Sequence, residues 1–286
     1  MHSRQNLASA SPQSANAFLR HDTQKTRFVK RIVSLIALAL LASAFAGAAA
    51  DKRFFELRTY NAAPGKLDEL HARFRDHTMK LFEKHGMSNL GYWVPSGNPT
   101  NSNPGNQLIY LLAYPSRDAR EKSWKDFLAD PVWQAAQKAS EANGKLVAKV
   151  DSVYLNATDF TPAVGTSAAS APRLFELHTF KSAPGRSSDL HARVSETYLP
   201  LFRRYGIGQM GYFAPADKDK GADNTLIYIL AHKSVDAAKA SFDAFRQDPA
   251  WVAARKASEE KAGGSLTTKD GVKSVFMKAT DYSPIR

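Results

Sequence analysis

The 286-residue chain contains no cysteine. That excludes disulfides, thiolate metal sites, thiol nucleophiles and a lipid-modified N-terminal cysteine. Long apolar runs are missing as well. The stretch from Ile32 to Phe45 is shorter than the roughly 20 residues a membrane-spanning helix requires. No H-E-x-x-H pair, G-x-S-x-G elbow, Gly-rich phosphate loop or dinucleotide fingerprint occurs, so no metal and no cofactor is expected. Basic residues exceed acidic ones, 39 to 27, but no Lys/Arg run is interleaved with aromatics, which speaks against nucleic-acid binding.

What the chain does have is a repeat. Phe55-Glu-Leu-Arg-Thr-Tyr60 with Ala63-Pro-Gly65 recurs as Phe175-Glu-Leu-His-Thr-Phe180 with Ala183-Pro-Gly185. His71-Ala-Arg73 answers His191-Ala-Arg193, and Gly91-Tyr-Trp93 answers Gly211-Tyr-Phe213. Asp130-Pro-Val-Trp133 matches Asp248-Pro-Ala-Trp251, and the halves close on Ala157-Thr-Asp-Phe160 and Ala279-Thr-Asp-Tyr282. Two copies, each of about a hundred residues and able to hold its own core, make a tandem pair and not a solenoid.

Residues 1–50 match neither copy. Lys25, Arg27, Lys30 and Arg31 precede the apolar run, and small residues follow through Ala46-Gly-Ala-Ala-Ala50. This is the order of a cleaved secretory signal, behind a polar lead of residues 1–24, with overlapping A-x-A frames ending at Ala44, Ala46, Ala48 or Ala50. The expected mature protein is periplasmic or secreted, without stable membrane insertion, and carries 33 basic and 26 acidic side chains. The expected segments are repeat 1 over 51–160, a Pro/Ser/Ala-rich linker over 161–172 that is extended and exposed, and repeat 2 over 173–286.

Within repeat 1, Phe54 to Tyr60 alternates as a strand and Pro64-Gly65 turns it. Leu67, Leu70, Phe74, Thr78, Leu81, Phe82 and His85 share one helix face, which Gly86 ends. Leu90 to Val94 and Leu108 to Tyr114 read as strands. Ser116 caps a second helix, Asp130-Pro131 starts another, and Val153 to Ala157 is the last strand. The order β-α-β-β-α-β defines an α+β, ferredoxin-like unit with helices on one sheet face. Packing the two units sheet to sheet covers the other faces and closes an α/β barrel within one chain.

Together, Glu56-Leu-Arg-Thr-Tyr60, Pro64-Gly65, His85-Gly-Met87, Gly91-Tyr-Trp93, Tyr114 to Arg120 and Asp130-Pro-Val-Trp133 resemble the NIPSNAP family pattern, in both halves. The resemblance implies the dimeric α/β-barrel fold and names no reaction. Repeat 2 departs from the pattern, with His178 for Arg58, Phe213 for Trp93 and Ala238 for Arg120, so two equivalent sites are not expected.

Alternation places Glu56, Arg58 and Tyr60 on one strand face and Phe55, Leu57 and Thr59 on the other. With the apolar set on the helices, the polar set faces the barrel interior, joined by Glu176 and His178, with Trp93 among the aromatic lining. That arrangement would bind an anionic or polar ligand in the inter-sheet cavity, or move a proton there. The bland alternative is ion pairing, Glu56 with Arg58 and Glu176 with His178, that holds the sheets in register. His71 and His191, at equivalent positions, read as structural. The expected function is small-molecule binding. A cofactor-independent monooxygenase- or lyase-like enzyme and a protein-interaction module are the alternatives, and a homo-oligomer is left open.

Overall fold

The computed structural model describes residues 51–96, 105–162, 164 and 173–286. The expected signal, most of the linker and the loop at 97–104 lie outside the described residues.

Repeat 1 comprises β1 (Phe54–Ala62), α1, β2 (Ser88–Pro95), β3 (Gln107–Tyr114), α2 (Arg117–Ala129), α3 (Pro131–Ser140) and β4 (Val147–Ala157). Helix α1 runs Leu67–Arg73, then a π-helical turn Phe74–Thr78, then Met79–Lys84. Repeat 2 gives β5 (Leu174–Ser182), α4, β6 (Gly208–Pro215), β7 (Thr225–His232), α5 (Val235–Gln247), α6 (Pro249–Ala262) and β8 (Thr267–Ala279). Helix α4 repeats the pattern of α1, with a π turn at Val194–Tyr198 between Ser187–Arg193 and Leu199–Arg204. The predicted caps are in place: Ser116 Oγ accepts the Ala119 N–H and Asp130 Oδ1 accepts the Val132 N–H. Strand β4 starts six residues earlier than its apolar pattern suggested, because Val147 to Ser152 is largely solvent-exposed and pairs with β1 all the same.

The strands close into one antiparallel barrel in the order β1-β3-β2-β8-β5-β7-β6-β4. Inside a repeat the pairing is long, with eight residues of β1 opposite β3. Between repeats it is short: Trp93 to Pro95 meet Met277 to Ala279, and Leu155 to Ala157 meet Phe213 to Pro215. The repeated closing motifs reinforce these seams. The Thr158 N–H donates to the Tyr212 carbonyl and the Thr280 N–H to the Tyr92 carbonyl, both at 2.9 Å. Tyr282 then reaches across to His71, its hydroxyl 2.7 Å from Nδ1. His191 meets Phe160 instead, ring to ring at 5.9 Å.

The interior corrects the expected facing of β1. Phe55 and Leu57 point into the barrel, where they join Trp93, Ile109, Leu111, Phe175, Phe213, Ile227 and Met277 in one apolar cluster drawn from both repeats. Glu56, Arg58 and Tyr60 face α1 and α2. The physical reason is depth: the space between the two sheets is enclosed by the strands of both repeats and takes the least polar face. The sheet–helix layer, by contrast, opens sideways and can supply charged partners from a helix. Among the described residues the inter-sheet space is therefore lined by packed apolar side chains, which does not suit a polar ligand. Trp93 explains the Gly-x-aromatic motif, since its indole folds over Gly91, where a Cβ would lie 2.3 Å from the ring. Val164, expected to be exposed in the linker, is buried in the same cluster, and its carbonyl accepts from Arg53.

Candidate functional site

Glu56 sits at the centre of β1, fully buried, beneath α2. Each of its oxygens accepts three hydrogen bonds. Oε1 takes Arg58 Nη1 at 2.5 Å, Arg120 Nη2 at 2.9 Å and Ser152 Oγ at 2.7 Å. Oε2 takes Arg120 Nε at 3.0 Å, the Tyr114 hydroxyl at 3.0 Å and Trp124 Nε1 at 3.1 Å. The donors come from β1, β3, β4 and α2, which are neighbours only in the folded repeat. Burial alone would push the Glu56 carboxyl up, but Arg120, Arg58 and Ser152 outweigh it and hold the pKa at about 2. The predicted Glu56–Arg58 ion pair is present, but it does not hold the two sheets in register. It belongs to one repeat and ties its sheet to its helix.

Arg58 is similarly enclosed. Its Nε donates to the Tyr110 hydroxyl at 2.9 Å and Nη2 to the Tyr60 hydroxyl at 3.2 Å. Its guanidinium lies 4.2 Å from the centre of the Trp124 ring. Beside this cluster the layer opens into a cleft of about 730 Å³, within the range of small-molecule sites. Arg58, Tyr60, Arg120 and Trp124 form one wall, and Phe74 and Thr78 of the π turn another. Phe127, Trp133 and Arg73 close the inner side, while Lys125, Lys145 and Lys149 stand among the remaining lining residues. A π turn in a helix is frequently found at functional sites.

The second repeat has a different centre. Glu176 lies between two imidazoles, His178 Nε2 at 3.1 Å from Oε1 and His232 Nε2 at 3.2 Å from Oε2. The His178 contact is an ion-pair distance without hydrogen-bond geometry, and the ring is held by stacking on Tyr228, 4.7 Å away and nearly parallel. Burial would raise the Glu176 carboxyl, yet His178 and His232 hold it at about 2. His178 thus serves its own repeat and does not join Glu56. Among the described residues no group of His, Cys, Asp and Glu side chains is arranged to hold a metal ion.

Repeat 2 also fills the space that repeat 1 leaves open. Tyr198 stands where repeat 1 has Thr78, and it is buried. Its ring packs 5.0 Å from Trp251 and 5.3 Å from Phe245, the counterparts of Trp133 and Phe127. Ala238 replaces Arg120 and Phe242 replaces Trp124. Of the predicted site residues, Glu56, Arg58 and Tyr60 therefore converge. Trp93 lies in the barrel interior, and Glu176 and His178 form a separate closed cluster. Sequence reasoning missed the cleft itself, although the Thr78-to-Tyr198 difference between the aligned repeats was the readable sign of it.

The two depressed carboxyls set an acid limit on stability. A carboxyl with pKa near 4.5 unfolded and about 2 folded stabilises the fold fully above pH 4.5, and that contribution disappears as pH falls toward 2. Each group is worth about 3 kcal/mol by this measure. Urea unfolding should show a large fall between pH 5 and 3, beyond the smaller loss between pH 7 and 5 that comes from His71 and His191, whose pKa values burial lowers. A flat profile down to pH 3 would contradict the pairing.

Taken together, fold and cleft define an α/β-barrel protein built from two ferredoxin-like halves, the first with an open sheet–helix cleft and the second with Tyr198 in the corresponding space. The NIPSNAP family profile matches residues 55–162 and 175–284, and the chain belongs to that family. No curated protein matches it. Among solved structures, a putative monooxygenase from Fusobacterium nucleatum superposes with TM-score 0.50 at 10% identity, over 80% of this chain and 92% of that one. An anthrone oxidase-like protein gives TM-score 0.50 at 13% identity, over 82% and 94%. A NIPSNAP domain protein from Burkholderia xenovorans is 24% identical, over 38% of this chain and 98% of its own, with TM-score 0.32. The first two likenesses show the fold.

Proposed function

We propose that the repeat 1 cleft binds a small organic molecule and that repeat 2 serves as the scaffold completing the barrel. The observation that carries this reading is the contrast between the halves: a cleft of about 730 Å³ beside Arg58 and Trp124, and Tyr198 in the corresponding space of repeat 2. The aromatic lining would take an apolar body, and the guanidiniums and tyrosine hydroxyls would orient it. Native mass spectrometry of protein purified from its own host checks this. The wild type should retain a small-molecule adduct, and a Thr78→Tyr variant, built to fill the cleft as Tyr198 does, should lack it. An adduct retained by both would overturn the assignment to the cleft.

Enzymatic turnover is the second reading, suggested by the monooxygenase and oxidase-like names of two fold neighbours. Fold likeness alone does not carry a reaction. Glu56, with both oxygens saturated and its pKa held at about 2, offers no general base near neutral pH.

Export is part of the proposal and rests on the basic, apolar, small-residue order of residues 25–50. N-terminal sequencing of the extracytoplasmic fraction should find a start between Gly47 and Lys52. A chain still beginning at Met1 there would refute it.

A further inference from the structure

We propose that the molecule held in the repeat 1 cleft is a small organic anion, a carboxylate or sulfonate on an aromatic body. This rests on the cleft being a binding site and adds the charge of its ligand. The argument begins with the wall formed by Arg58 and Arg120. One carboxylate, Glu56, serves two guanidiniums, so the cluster keeps one positive charge in excess. The other acid near Arg120 is Glu121, 3.2 Å from Nη1, whose side chain is 58% exposed and neutralises little. A largely buried excess cation is costly unless an anion approaches it.

Two further observations point the same way. Lys149 is paired with Asp151 at 2.8 Å and Arg73 with Glu141 at 2.9 Å, but Lys125 and Lys145 add positive charge to the lining, so the potential toward solvent would attract an anion. The Trp124 ring already holds the Arg58 guanidinium at 4.2 Å, and a flat ligand could extend the same stacked arrangement. Repeat 2 supplies the internal comparison. There Ala238 takes the place of Arg120 and Tyr198 fills the space, so the second guanidinium and the open cleft are lost together.

Two fluorescent probes test this on the full mature chain. 8-Anilinonaphthalene-1-sulfonate carries an anionic group on an aromatic body, and N-phenyl-1-naphthylamine is the same body without the charge. The sulfonate should bind one to one and at least about tenfold more tightly, equivalent to about 1.4 kcal/mol. Arg120→Ala should erase that preference, bringing the sulfonate's affinity down to that of the uncharged probe, and Thr78→Tyr should remove both. The wild-type comparison needs no variant to fold. Equal affinity for the two probes, with both lost in Thr78→Tyr, would overturn the anion assignment and leave the cleft reading standing. Sulfonate binding that survives Thr78→Tyr, or no binding of either probe, would overturn the cleft reading itself.

Discussion

Glu56→Gln should destabilise the protein by about 3–5 kcal/mol, the cost of leaving buried charge without its partner. The amide keeps the shape of the carboxyl but leaves Arg58 and Arg120 facing each other beneath Trp124 with no counter-charge. Arg58→Ala should cost less. Glu56 would still hold the Arg120 fork, Ser152, Tyr114 and Trp124, so no charge is stranded. A double variant, Glu56→Gln with Arg58→Ala, should recover part of the loss by removing one of the two unpaired cations. Denaturant unfolding of the three variants measures each value. Should Arg58→Ala prove as damaging as Glu56→Gln, the carboxylate would not be the hub its hydrogen bonds describe.

Tyr198→Thr should cost about 3–5 kcal/mol, the usual range for emptying a large aromatic site in a core. Its ring bridges α4 to α5 and α6 through Phe245 and Trp251 and also packs on Phe180 and Phe202. The reverse change, Thr78→Tyr, starts from a buried threonine bonded to the Arg73 carbonyl but borders the open cleft, and should cost about 1–3 kcal/mol, less than Tyr198→Thr. Thermal unfolding of the pair provides the comparison. Equal and large losses in both would mean that the repeat 1 cleft lacks room for a ring.

Much of the architecture could be read from residues alone. The recurrence of Phe-Glu-Leu-x-Thr and Asp-Pro-x-Trp at fixed offsets implied duplication, and sheets with apolar side chains on both faces implied a barrel. The facing of β1 was not legible, because alternation separates two sets of residues without saying which meets the helices. Phe55 and Leu57 looked like a helix-facing stripe, but the enclosed space between the repeats is the less polar environment and takes them. The partners of Glu56 were hidden for a related reason. Tyr114, Arg120, Trp124 and Ser152 stand 58 to 96 residues away, and only the closed repeat brings them together. The π turn at Phe74–Thr78 leaves no trace in the apolar spacing of α1.

The short seams between the repeats join two units that are alike in outline and unlike in content. Had the barrel been assembled from two identical single-repeat chains, any mutation at the position of Thr78 would have struck both clefts at once. Covalent joining removes that constraint on heritable variation. One copy can accept a ring that closes it while the other keeps its opening, and the shared barrel still forms. A substitution that would close both clefts of a symmetric dimer closes, in the fused chain, only one of them.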